Sequence, residues 1–124
     1  MYTCRAVRDS LLMVLIVLPI EASQAGESMA SYTTCAVYHR MMVGAMRSSA
    51  NLQALSDSHM EQMNDYIALA KKASYDDYGE ELGEELFNDE WADIQAEMTD
   101  RINRNYVNIS RLKYRYQERC KAPQ

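Results

Sequence analysis

An all-α domain is the fold class this sequence predicts: a small up-and-down bundle of about four helices, the third one short, closed by one disulfide. Three observations predict it. From Ser28 onward, apolar side chains recur at three- and four-residue steps, the repeat of one helix face. No proline falls between Pro19 and Pro123, and no alternating β-branched run or Asn-Gly turn marks a strand pair. Two cysteines, Cys35 and Cys120, flank the helical stretch once an N-terminal leader is set apart.

The leader is read from residues 1–25. Arg5 and Arg8 precede the apolar run Leu11 to Ile20, and Ser23 and Ala25 supply small residues for cleavage after Ala25. A membrane-spanning helix needs about 20 apolar residues. This run is half that length and is interrupted by Pro19. The expectation is a cleaved secretory signal, a single helical domain over 26–124 without an integral membrane anchor, and a secreted or periplasmic location. Cleavage would remove Cys4 and leave Cys35 and Cys120 in an oxidising space, where a lone pair of cysteines usually closes a bridge. A loop of that length is worth about 4–5 kcal/mol in the chain-entropy view.

The helices are assigned in chain order. Tyr32, Cys35, Tyr38 or His39, Met42 and Met46 mark the first, over about 28–48. The stretch Ser48-Ser49-Ala50-Asn51 supplies a turn. Leu52, Leu55, His59, Met63, Tyr66 and Ala70 mark the second, ending near Ser74. The repeat Gly-Glu-Glu-Leu in 79–87 places Leu82 and Leu86 on one face of a short third helix. Asn88 reads as the cap of a fourth, followed by Asp89 and Glu90 at its positive end. Its stripe runs from Trp91 through Ile94, Met98, Ile102, Tyr106, Ile109, Leu112 or Lys113, and Tyr116 to Cys120. With no glycine or proline inside it, this helix is expected to be continuous past Thr99. In a bundle with an even number of helices, the first start and the last end share a pole. Bridged α-carbons must lie within about 7 Å, so the cysteines favour four.

Charge narrows the function. The net charge is −5, which argues against bulk nucleic-acid binding. Its distribution says more. Residues 76–100 carry eleven acidic side chains and no basic one, whereas 101–121 carry seven basic side chains against Glu118 alone. Within the basic stretch, Arg111, Lys113, Tyr114, Arg115 and Tyr116 interleave cations with aromatic rings and form a candidate contact surface for an unknown protein or an anionic envelope component.

Two chemical alternatives follow from the residue types. His39, Met42 and Met46 share one arc of the first helix, and His59 and Met63 pair on the second. Imidazole and thioether are soft ligands suited to Cu(I), although methionine is also a common core filler. No metal is favoured and no cofactor is expected. The acidic stretch 76–90 lacks the spacing of a calcium loop. Glycine-rich phosphate loops, nucleophile elbows and paired-histidine zinc motifs are missing from the sequence, so no catalytic residue is assigned and an enzyme is not expected.

The early Cys35-Ala36-Val37-Tyr38 and the late Tyr116-Gln-Glu-Arg-Cys120 resemble small uncharacterised secreted helical proteins of proteobacteria, which have one N-terminal and one C-terminal cysteine. The resemblance rests on Cys35, Ala36, Tyr38, Tyr116 and Cys120 and spans the mature chain loosely. It implies an exported helical domain and brings no activity with it. The reading from sequence is therefore an exported helical binding module of unknown partner, with a stress- or envelope-related role as the expectation.

Overall fold

The computed structural model describes residues 24–123, with side chains from residue 28 onward. The expected leader lies outside the described residues except for Gln24 and Ala25, which open the first helix. Four α-helices follow: α1 (Gln24–Met46), α2 (Gln53–Tyr78), α3 (Glu80–Arg101) and α4 (Ser110–Tyr116). Single 3-10 turns lie at Ala50–Leu52 and Tyr106–Asn108. No strand occurs among the described residues, and none of their helices is long and apolar enough to cross a membrane.

Helix α1 is the centre of the bundle, with α2, α3 and α4 all packed on it. This explains five consecutive buried residues, Cys35, Ala36, Val37, Tyr38 and His39. A helix enclosed on every side keeps no polar face. The stripe read from sequence captured one side of α1, while Met41 and Val43 are buried as well.

The α1–α2 hairpin sets the register. Tyr32 meets Tyr66 with ring centroids 6.4 Å apart, and His39 meets His59 at 5.0 Å. Each pair is symmetric in sequence about Ser49, as an antiparallel hairpin turning there requires. At the other pole α2 passes to α3 through Gly79 alone, whose φ of +82° suits a residue without a β-carbon. One turn later, a β-carbon on Gly83 would stand 2.9 Å from the Ser74 carbonyl oxygen. Glycine lets the two helices touch there, and the Ser74 hydroxyl donates to the Gly83 carbonyl at 2.7 Å.

Two boundaries differ from the sequence expectation. The stretch 79–87 is the beginning of the 22-residue α3, with no break at Asn88. Gly83, Phe87, Ile94 and Met98 are buried along it as one stripe, so a cap at Asn88 would have interrupted core packing. The expected long fourth helix is divided instead, beyond Thr99. Asn103 and Arg104 adopt left-handed φ values of 53° and 57°. The Asn103 amide donates to the Asp100 carbonyl and the Arg104 amide to the Thr99 carbonyl, each at 2.9 Å, the pair of hydrogen bonds that ends a helix when its chain turns left-handed. Asparagine tolerates that conformation. The Asn105 side chain then accepts from the Val107 amide at 3.0 Å and starts the next turn. The short helix is therefore the fourth.

That shortness positions the bridge. Running back along α1, α4 and its trailing turn reach only the middle of the central helix, where Cys35 sits. The Cys35–Cys120 disulfide closes there with α-carbons 5.1 Å apart. Both residues are almost fully buried.

Two outcomes test this construction by thermal or urea unfolding. Replacing Cys35 and Cys120 together with alanine should lower stability by about 4–5 kcal/mol. Asn103→Val should cost about 1–2 kcal/mol through its left-handed backbone, whereas Asn103→Gly should leave stability unchanged or raise it slightly.

Candidate functional site

The chain has two histidines, and the hairpin brings them together. Their Nδ1 atoms lie 2.7 Å apart, a hydrogen-bond distance. His39 Nε2 lies 2.8 Å from the Cys120 carbonyl oxygen. A carbonyl only accepts, so His39 must carry its proton on Nε2. Neutral His39 then presents a bare Nδ1, and His59 must donate to it from its own Nδ1. The remaining nitrogen, His59 Nε2, is left as a lone pair. One ordered chain of donors thus runs from His59 through His39 to the peptide carbonyl of the disulfide cysteine.

Aromatic rings enclose this chain. Tyr66 stacks on His39 at 5.8 Å, with planes 16° apart, and Tyr38 stands edge-on to His59 at 6.3 Å. Burial pushes His39 well below the usual imidazole range, to about 4; the Cys120 carbonyl opposes this and the charge of His59 adds to it. His59 is lowered too, first by burial and then by the nearby Lys113 ammonium. Both imidazoles are therefore neutral at neutral pH. Tyr66 completes the clamp by donating to the Lys121 carbonyl.

Helix geometry spreads the sulfur and nitrogen atoms considered as Cu(I) ligands along the bundle axis. Both nitrogens of His39 are engaged. Two nitrogens on one tetrahedral ion would stand about 3.3 Å apart, given bonds of about 2.0–2.1 Å, which is wider than the observed pair. The methionines diverge as well. In antiparallel helices registered at His39 and His59, Met42 and Met46 lie toward one pole and Met63 toward the other. The offset between Met42 and Met63 is about 10 Å along the axis, from 1.5 Å per residue. Met42 and Met46 are core residues. No cluster of three or more histidine, cysteine or carboxylate side chains suited to a metal occurs among the described residues.

The basic stretch divides in two. Tyr116, read from sequence as part of a contact surface, faces inward: it is 6% exposed and packs on Tyr38 at 6.0 Å. The cause is helical phase, because Tyr116 is one turn beyond the buried Leu112. Arg111, Lys113, Tyr114 and Arg115 are exposed, and Tyr114 stands 96% free. Val107, which sequence reasoning left out of the candidate surface, is 84% exposed just before α4. Among the described residues no carboxylate pairs with Arg111, Lys113 or Arg115. Arg111 donates instead to the Arg101 carbonyl at 3.2 Å, and Arg115 lies over the Tyr116 ring.

The acidic side has its own arrangement at the opposite pole. Glu84 accepts from the Tyr75 hydroxyl and from Lys71, which holds its carboxyl below the usual range and pushes the Tyr75 phenol up to about 12. Glu80, Glu81 and Glu85 form no ion pair among the described residues. With Tyr78, Gly79 and Leu82 they line a shallow, open depression of about 480 Å³.

No known protein family, curated protein or solved structure matches the chain.

The histidine pair makes a pH prediction. The unfolded chain protonates His39 near pH 6.5, and the folded chain only near 4. Between those values the unfolded state binds more protons, so stability falls as pH drops through the window and is regained as pH rises. For His39 the loss by pH 4 is about 3 kcal/mol, at 1.36 kcal/mol per pH unit. His39→Gln keeps a donor for the Cys120 carbonyl without titrating. Its melting temperature should fall less than that of the wild type between pH 7 and pH 4.5.

Proposed function

We propose that this protein is an exported helical interaction module that engages an anionic surface through the outer face of α4. One observation carries the reading. A tyrosine exposed over nearly its whole side chain projects from α4 between Lys113 and Arg115, with Arg111 one turn away, and no carboxylate satisfies these cations among the described residues. An apolar ring left in water beside unpaired guanidinium and ammonium groups is the composition found where surfaces meet: the ring supplies contact area and the cations supply selectivity. Val107 extends the apolar part of the face.

The surrounding fold supports a binding role for this segment. The disulfide, the His39 bond to Cys120 and the Tyr66 bond to Lys121 hold the residues after α4 to the core. A short helix anchored in this way presents its outer side chains on a rigid base, which reduces the ordering cost of association. The expected leader and the buried disulfide agree with a protein that works outside the cytoplasm.

Binding of the purified protein to a polyglutamate peptide and to anionic phospholipid vesicles, followed across salt concentration, tests the reading. Arg111→Glu, Lys113→Glu and Arg115→Glu combined should weaken binding by more than about tenfold, given a few tenths to 1 kcal/mol for each exposed charge. Tyr114→Ala should weaken it without changing its salt dependence. Binding unaffected by the charge reversals would remove α4 as the contact face.

A further inference from the structure

The partner of the α4 face can be narrowed, on the reading just given, from the other end of the molecule. The two unpaired charge sets lie far apart. Lys113 is close enough to His59 to depress its pKa. Glu80, Glu81 and Glu85 lie at the junction where Ser74 bonds to Gly83. Between His59 and Ser74, α2 advances fifteen residues, a rise of about 22 Å. The screening length at physiological salt is about 8 Å. The acidic pole and the basic face therefore cannot neutralise each other within one molecule.

Their charges are opposite and each carries exposed apolar side chains. The α4 face is a knob, with Tyr114 and Val107 standing out among cations. The acidic pole is a shallow depression lined by Tyr78 and Leu82, exposed at 44% and 47%, together with three unpaired glutamates. Isolated, each surface leaves apolar area in water beside uncompensated charge. Together they would bury a tyrosine, worth about 150–250 Å² of contact, and pair three cations with three carboxylates.

We propose that the α4 face docks into the Tyr78–Leu82 hollow of a second copy of this chain. The two surfaces are different patches of the same molecule, so the contact is head-to-tail and leaves a free knob and a free hollow at the ends. Association by this route grows with concentration and does not stop at a dimer unless the rotation closes a ring. A contact of this size is weak, so it is observed at high protein concentration and low salt.

Sedimentation velocity of the purified protein provides the test, at about 1 mM protein and at about 10 mM and 300 mM salt. The expected result is concentration-dependent growth beyond the monomer at low salt and its loss at high salt. One variant carries R111E, K113E and R115E; another carries E81K and E85K. Both sets are exposed and should leave the helical circular dichroism unchanged. Each variant alone should remain monomeric, because it has two like-charged surfaces. An equal mixture should associate again, since the intact basic face of one meets the intact acidic hollow of the other. Recovery on mixing is a result that damage to the fold cannot produce. A protein that stays monomeric at low salt, or variants that fail to recover on mixing, would overturn the second copy as partner. If such a monomer still binds polyglutamate or anionic vesicles through Arg111, Lys113 and Arg115, the α4 face keeps its function and only its partner changes; if it binds neither, both proposals fail.

Discussion

Cys120 is held through three of its atoms, and the placement of the last helix depends on this. Its sulfur is bonded to Cys35, its carbonyl accepts from His39, and its amide donates to the Tyr116 carbonyl at 2.9 Å. A seven-residue helix has too few internal hydrogen bonds to persist alone in water. What keeps α4 in place is its attachment at both ends, by the left-handed stop at Asn103 and Arg104 and by the clamp on Cys120. Leu112 and Tyr116 then turn into the core, and the remaining side chains must point outward. The exposed ring of Tyr114 follows from that constraint.

The central position of α1 has a similar logic. A core in which methionine is the commonest residue is soft, and a domain of this size has little stability to spare. Surrounding one apolar helix with the others uses every face of it. Polar groups enter this core only where they find partners: Thr33 bonds back to the Met29 carbonyl, Ser74 to Gly83, and His39 to both of its neighbours. No buried side-chain nitrogen or oxygen is left without a partner among the described residues.

Helicity, the disulfide and the first hairpin were legible because each rests on a local signal: periodic apolar residues, two cysteines, and a polar turn at Ser48 to Asn51. The division of α3 from α4 was less so. Its signal was asparagine at positions 103 and 105, a residue tolerant of left-handed backbone, where neither glycine nor proline marks the break. The false boundary at Asn88 arose because a good cap residue is also tolerated on the exposed side of a helix, where tertiary packing at Phe87 and Ile94 overrides it. The basic face was legible as composition, but which of its aromatic residues faced outward depended on the phase of α4. The histidine pair also had a sequence signal: His39 and His59 are equally distant from the turn at Ser49, so a straight hairpin must bring them level.

The one-way order of that pair decides how it meets an added proton. The vacant site is His59 Nε2, the nitrogen with no hydrogen-bond partner among those that fix the chain. A proton arriving there leaves every existing bond in place and converts the link between the rings into a charge-assisted one, stronger than its neutral form. A second proton has only His39 Nδ1 to occupy, and that atom is already the acceptor in the link. A first proton at His59 is therefore opposed by burial and by the Lys113 ammonium but breaks no bond, whereas a second at His39 would prise α2 away from the residue that holds Cys120.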